Sequence, residues 1–394
     1  MEHTVAGFHF GGLTAGIKPS GRPDLALLVA EADFPVAAVF TKNRLKGAPV
    51  LVSQERVRAG LARAVVVNSG NANACTGKPG IEDAQRVTRA VAGGLAADER
   101  RVLIASTGII GVRLPMDRVL RRVDNLIACV RPDGFEDFAQ AILTNDHGPK
   151  VAYAEVGLGK VKVRVLGCAK GAAMIAPNMA TTLAFLVTDA AVEGRWLRST
   201  LKEEVDLTFN DISVDGDTSC NDSLFLLASG KAGNKPLDGG AHGRAFRAAL
   251  RDVLDDLAMQ VVHGGLGATR AVTIEVAGAN DVKAARAAAR RIGSSLLVKT
   301  ALFGAHPDWG RILCVLGNSG IDLDPERVDL QIGGVALVKG GVAVGGDGEA
   351  RAAVAMRRSA YTIRVHLHNG QAEGRHVTCD LSDEYVKINA EFRS

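Results

Sequence analysis

Lys170-Gly-Ala-Ala-Met-Ile-Ala-Pro-Asn-Met-Ala-Thr181-Thr182-Leu-Ala-Phe-Leu-Val-Thr-Asp-Ala190 decides how the rest of the chain is read. Its second half, Thr182 to Val187, is an apolar, partly β-branched run of the kind that forms a buried strand. The first half cannot extend that strand. Pro177 has no backbone donor, Gly171 weakens pairing, and Asn178 tolerates turn geometry. The stretch therefore predicts a turn that delivers Thr181 to the mouth of a core strand. Strands take threonine readily, so such a residue is most often structural. Its chemistry changes if the Ala180–Thr181 bond is cut. Thr181 would then carry a hydroxyl and a free α-amino group, a nucleophile beside its own base. An unperturbed α-amine, with a pKa of roughly 7.7–8, suits proton transfer near neutrality.

Around this stretch, Val151–Val165 alternates like a hairpin with Gly157-Leu-Gly159 at its turn, and it feeds directly into Lys170. Farther upstream, Leu25–Ala30, Val36–Thr41, Pro49–Ser53 and Ala64–Asn68 read as short strands with Gly- and Asn-rich connections. Val87, Val91 and Leu95 fall on one face of a predicted helix over Ile81–Ala97. Val102–Ser106 reads as a strand running into Thr107-Gly108, followed by helices at Asp117–Val130 and Phe135–Leu143. Downstream, helices are predicted at Gly194–Asn210, within His242–His263, and at Ala279–Ile292. Val272–Ala277 is a strand and Tyr361–His368 the final one. Short strands with few helices between them argue against a doubly wound α/β alternation.

The bulk numbers narrow the function classes. The chain has 394 residues, 47% of them hydrophobic and 23% charged, which is ordinary for a globular protein with ample core. Net charge is only +4, with Lys and Arg scattered, so nothing resembles a nucleic-acid-binding stripe. The six cysteines lie far apart without a CxxC pair, which predicts buried thiols rather than disulfides or structural zinc. No apolar run is long enough to span a membrane, and Met1-Glu-His-Thr-Val lacks the features of a leader. A cytoplasmic protein is expected. The acidic cluster Asp215-Gly-Asp217 to Asp222 lacks the remaining oxygen ligands of a calcium loop, so turn and hydrogen-bonding roles are expected there and no metal.

Lys170-Gly-x-x-Met-Ile-Ala-Pro-Asn-Met-Ala-Thr181 resembles the self-cleavage segment of the bifunctional glutamate N-acetyltransferase/ornithine acetyltransferase family, the ArgJ family of arginine biosynthesis. The segments GIKPSGRPDLALL (from Gly16), NSGNANACTG (from Asn68) and VDGDTSCND (from Val214) are similar to further family signatures, so the resemblance spans essentially the whole chain. It implies an α/β fold, a stacked-sheet αββα sandwich of the DmpA/ArgJ-like type, cut into two associated chains. These would be residues 1–180, which carry the oxyanion hole, and residues 181–394, which begin with the nucleophile and include a C-terminal subdomain from roughly 280. It implies cleavage between Ala180 and Thr181, with Thr181 as nucleophile and its freed amine as base. Ser106-Thr107-Gly108-Ile-Ile-Gly111 matches a family motif that makes Thr107 and Gly108 the oxyanion hole. The implied substrate contacts are Thr144, Asn145, Lys170, Thr181, the position of Leu266, Asn389 and Ser394. Lys170 would pair with a substrate carboxylate.

The chain departs from the family pattern at three places. A segment that reads DGEGATK in the family is Gly264-Gly-Leu266-Gly-Ala-Thr-Arg270, so a glutamate suited to a substrate ammonium is replaced by leucine. TTDT reads Thr144-Asn145-Asp146-His147, and GADPNWGR carries His306 and Asp308. The reading is an acetyltransferase that moves acetyl from N-acetylornithine to glutamate by a ping-pong acyl-threonine mechanism. It needs no cofactor, takes acetyl-CoA as a possible co-substrate, and assembles as an α2β2 heterotetramer. Two alternatives stay open. One is the same machinery with another acyl acceptor or with water, which Leu266 and His147 motivate. The other is an uncut, non-catalytic relative, which a denaturing gel separates from the rest.

Overall fold

The computed structural model describes residues 3–176 and 182–391. Its strands, in chain order, begin with β1 (Phe8–Leu13), β2 (Leu25–Phe40), β3 (Leu61–Asn71), β4 (Val102–Ile109), β5 (Lys150–Leu158) and β6 (Val161–Lys170). They continue with β7 (Leu183–Thr188), β8 (Ile212–Ser213), β9 (Ser223–Ala228), β10 (Ala271–Ala279), β11 (Asp329–Ile332) and β12 (Val335–Lys339). The last are β13 (Val342–Ala343), β14 (Ala360–His366) and β15 (Ala372–Cys379).

Strand β2 organises the first half. Its register with β3 shifts between Val29 and Phe34, where Glu31, Ala32 and Asp33 face solvent. The first part of β2 pairs with β1 and β3, and the part after the bend pairs with β9. Two sheet layers result, β1-β2-β3-β4 and β2-β9-β7-β6-β5, sharing one bent strand. Side chains of alternate parity face opposite ways along each strand. Ala26, Leu28, Val65 and Val67 of one layer therefore meet Phe185, Val187, Phe225 and Leu227 of the other in a common core. The residues between them point outward. Leu27, Val66 and Ile104 pack on Ala84, Val87 and Val91 of the helix Gly77–Gly94. Ala184, Leu186, Leu224 and Leu226 pack on the helices Gly194–Leu207 and Gly240–His263. This is the expected αββα sandwich. Phe185 sits at its centre, with Phe138 edge-on at 5.1 Å and Phe225 stacked at 5.7 Å. Truncating such a ring to alanine costs about 3–5 kcal/mol.

The remaining strands form a second sheet in the order β13-β12-β11-β14-β10-β15-β8. Helices Val282–Gly293, Leu296–Phe303, Trp309–Gly317 and Gly348–Met356 supply its core. Strand β8 reaches it from between the sandwich helix Gly194–Leu207 and β9, pairing in parallel with β15. A buried 2.7 Å contact between Ser213 Oγ and His376 Nε2 reinforces that join. No helix among the described residues is long and apolar enough to cross a membrane.

Several sequence expectations are corrected. Pro49–Ser53 is helical, within Ala48–Arg56; Pro49 stands at the helix start, where its missing donor costs nothing. Leu25–Ala30 and Val36–Thr41 belong to one bent strand rather than two. Asp117–Val130 splits into Met116–Leu120 and Val123–Ala128. Tyr361–His368 is not the last strand, because β15 follows and a helix, Asp383–Glu391, closes the described chain. Strand β9, Ser-Leu-Phe-Leu-Leu-Ala, was not anticipated although it lies between β2 and β7. Of the six thiols, Cys168, Cys220 and Cys379 are buried, whereas Cys75 and Cys314 are exposed.

Candidate active site

Strand β6 ends at Lys170 and pairs antiparallel with β7, setting Lys170 opposite Leu183. Strand β7 runs parallel to β9, setting Leu183 opposite Ser223. Lys170, Thr182 and Asp222 are thus brought to one end of the central strands. Strand β4 runs parallel to β3 and brings Thr107 and Gly108 alongside Ser69 and Gly70. A cavity of about 460 Å³ opens where these ends meet, and Thr107, Gly108, Thr144, Asn145, Lys170 and Asn389 all line it. Thr181, Ala180 and Ser394 lie outside the described residues, although Thr182 at the cavity wall fixes where the chain re-emerges.

Lys170 Nζ donates to Thr107 Oγ1 at 3.1 Å, joining the two predicted motifs directly. Burial pushes the Lys170 ammonium below its ordinary pKa, against the opposing pull of Asp146. Asp146 is itself enclosed. It accepts from Lys150 Nζ at 2.6 Å and from the backbone N–H of Gly171 and Thr144. Burial alone would raise the pKa of its carboxyl, but Lys170, Lys150 and the Gly171 N–H bring it down to about 2. A depressed folded value means that this contribution to stability is present above the unfolded pKa of roughly 3.9 and lost as the pH falls toward 2. Asp146→Asn would strand two buried lysines, so a loss of about 3–5 kcal/mol is expected, measured as a drop in the denaturant midpoint.

The turn that follows Lys170 is held from one side by the acidic cluster. Asp215 accepts from the Met174 and Ile175 N–H groups at 2.5 and 2.7 Å, and Thr218 Oγ1 donates to the Ala176 carbonyl at 2.7 Å. Met174 adopts a left-handed backbone, φ 58°, which those bonds stabilise. The hydrogen-bonding role expected for this cluster is the one observed for Asp215. Among the described residues no group of three or more His, Cys, Asp or Glu is placed to hold a metal.

Two features of the cavity were not singled out in the sequence. Asn221 donates to the carbonyls of Ala72 and Ser106 at 2.5 and 2.7 Å, tying β9 to the base of the Thr107-Gly108 turn. Asp222 lines the cavity fully buried, and Oδ2 has no partner among the described residues. Burial raises its pKa well above the usual carboxylate range, with Lys170 opposing. Both residues sit in the quoted VDGDTSCND segment, which was the available signal.

The departures from the family pattern separate spatially. His147 is exposed and does not line the cavity, unlike its neighbours Thr144 and Asn145. Asp308 caps the helix Trp309–Gly317 in the second sheet's layer, accepting from the Arg311 N–H at 3.1 Å. Leu266 is only 5% exposed. Its N–H donates to the Ala172 carbonyl at 2.8 Å, two residues from Lys170, but its side chain is not part of the cavity wall.

A doubled-sheet sandwich whose central strands end in a cavity lined by Lys18, Lys170, Thr107 and Asp222 has the arrangement of an enzyme. The ArgJ family profile matches residues 9–394. The chain is 47% identical to the arginine biosynthesis bifunctional protein ArgJ of Geobacter sulfurreducens, covering 99% of this chain and 100% of that one. It is 45% identical to the protein of the same name from Symbiobacterium thermophilum, over 99% and 97% of the two chains. A crystal structure of ArgJ from Bacillus halodurans superposes with a TM-score of 0.50 and 38% identity, covering 52% of this chain and 96% of that one. The chain belongs to the ArgJ family.

Proposed function

We propose that the chain is a self-cleaving acetyltransferase that carries acetyl from N-acetylornithine to glutamate through an ester on Thr181. In the first half-reaction Thr181 Oγ attacks the acetyl carbonyl. The oxyanion is received by Thr107 and Gly108, and the α-amine passes the hydroxyl proton to the departing ornithine nitrogen. In the second, the glutamate amine attacks the ester carbonyl, gives its proton to the same amine, and restores the Thr181 hydroxyl. The amine is formed when Thr181 Oγ first attacks the Ala180 carbonyl and water hydrolyses the resulting ester. No cofactor enters this scheme; acetyl-CoA would act only as an alternative donor to Thr181, in the cytoplasm where the substrates arise.

The observation that carries this reading is the Lys170–Thr107 contact, because it joins the residue that opens the Lys170–Thr181 motif to the Thr107–Gly108 turn on one cavity. Two further findings support processing. The Bacillus halodurans chain is matched over 96% of its length yet accounts for 52% of this one, as a two-fragment mature protein predicts. A cut before Thr181 would also leave the fragments interleaved. In the order β2-β9-β7-β6-β5, strands β9 and β7 of the second fragment lie between β2 and β6 of the first. The fragments 1–180 and 181–394 are accordingly proposed to stay together and to pair as α2β2. Intact mass after incubation with N-acetylornithine tests the reading: one acetyl should appear on the C-terminal fragment and leave on addition of glutamate. A full-length mass, or no adduct, would sink it.

A second reading keeps the acyl-threonine but changes the partner molecule. It is favoured by Leu266, a buried apolar residue that stands where the family carries a glutamate and whose N–H bonds Ala172, two residues from Lys170. Replacing N-acetylornithine with N-acetyl amino acids that lack a distal amine separates the two. Faster acylation by the apolar donors would select this second reading.

A further inference from the structure

We propose that Lys18 is the subsite for the second carboxylate of the acyl acceptor. The inference rests on the acyl-threonine reading above and deepens it. Lys18 lies in the loop before β2 and lines the same cavity as Thr107 and Lys170. Its place is fixed from two sides. Asp24 straps the loop by accepting from the N–H groups of Ala15, Ile17 and Lys18 at 2.5, 2.6 and 2.9 Å. The Lys18 stem lies on Gly70, where an added Cβ would come within 2.8 Å of Lys18 Cγ. Gly70 is the register partner of Gly108, so the lysine stands on the far side of the same glycine pair that shapes the oxyanion turn.

Lys18 is only 8% exposed, yet among the described residues its ammonium makes no ion pair; Nζ donates to the Pro23 carbonyl at 2.6 Å. The charged groups that face it are Asp24, Asp146, Arg22 and Lys170. Both acids are already engaged, Asp24 by three backbone N–H groups and Asp146 by Lys150, Gly171 and Thr144. Arg22 lines the cavity too, donating to the Thr144 carbonyl at 3.0 Å. Lys18 is therefore a cation on the cavity wall whose two neighbouring acids are already engaged elsewhere. Burial and these like charges depress the Lys18 ammonium to about 8, a cost that an arriving carboxylate would relieve.

The two lysines can be assigned from their contacts. Lys170 touches Thr107, so it suits the α-carboxylate, which donor and acceptor share. Lys18 is left for a group that only the acceptor has.

The test uses the processed full-length protein with N-acetylornithine as donor. Lys18→Met should raise the KM for glutamate by about 30-fold or more, the effect of truncating one partner of a partly desolvated charge pair. The single-turnover release of ornithine should keep its rate, which also reports that the variant is folded and processed. Glutamine, the neutral isostere, should be used nearly as well as glutamate by Lys18→Met, whereas Lys18→Arg should restore the preference for glutamate. In the unaltered protein the KM for glutamate should climb above about pH 8, and in Lys18→Arg it should stay level. Equal rises in KM for donor and acceptor, or a glutamate preference that survives in Lys18→Met, would overturn the subsite. Failure of the unaltered protein to form an acyl-enzyme would instead overturn the reading beneath it.

Discussion

Thr181→Ala should yield a single full-length polypeptide and lower acetyl transfer by about 10⁴- to 10⁶-fold, the usual consequence of deleting a nucleophile that acts as a unit with its base. Both effects come from one oxygen. In the proposed mechanism the same hydroxyl attacks the Ala180 carbonyl to create the amine and later attacks the acetyl carbonyl, so its loss removes cleavage and acylation together. Thr181→Ser separates the hydroxyl from the β-methyl. It should still cleave and transfer, more slowly, because serine lacks the χ1 restriction that points the oxygen at its target. A denaturing gel and a single-turnover assay read both variants. Two fragments from Thr181→Ala, or substantial residual transfer by an intact chain, would place the nucleophile elsewhere. Stability should change little, since the strand that follows is held by Leu183, Phe185 and Val187 in the core.

Much of this arrangement was legible in the amino-acid order because it rests on local constraints. The run after Thr182 is apolar at every position, so only a strand buried on both faces could use it, and β7 is buried throughout. The hairpin of β5 and β6 was visible in its alternation and in the glycine near its turn. Strand β9 carries the same kind of apolar signal as β7 but is short and follows directly on the polar, turn-forming run Asp215 to Asp222. Pro49–Ser53 misled because Val50 and Val52 look β-branched and alternating; the helix is decided by Pro49 at its start and by burial against β4 and the helix Gly77–Gly94. Such long-range packing overrides local propensity.

The site was legible for a different reason. Thr107, Gly108 and Lys170 could be named from motifs, but their meeting depends on strand order, which no spacing reveals. Lys18, Asn221 and Asp222 illustrate the remainder. Nothing in Gly16-Ile-Lys18-Pro marks the lysine as a cavity residue until β3 is placed beside it. Likewise His147, a conspicuous departure in sequence, is exposed and absent from the cavity wall, and loses the importance its position suggested. Spatial arrangement redistributes weight among residues that look equivalent on paper.

Gly108→Ala is expected to be the most damaging single change outside the nucleophile. Gly108 has φ 132°, a region essentially closed to residues with a side chain. An added Cβ would stand 2.3 Å from Gly70 C and 2.4 Å from Asn71 N, both backbone atoms in a paired strand that cannot turn aside. The strand end must therefore shift, carrying the Gly108 N–H away from the developing oxyanion. Loss of one such donor costs about 10²–10³-fold in kcat, and the strain adds about 1–3 kcal/mol of destabilisation. Thr107→Val isolates the chemistry, because it removes Oγ1 and the Lys170 hydrogen bond while leaving the backbone path open. Its kcat should fall by a similar 10²–10³-fold with little change in the KM for N-acetylornithine, since the lost contact matters chiefly once charge has built up on the carbonyl oxygen. If Thr107→Val keeps its kcat within a few-fold while Gly108→Ala only lowers the melting temperature, the turn is a structural corner. The oxyanion must then be received on another wall of the cavity, where the polar side chains of Asn221 and Asp222 are the ones to test next.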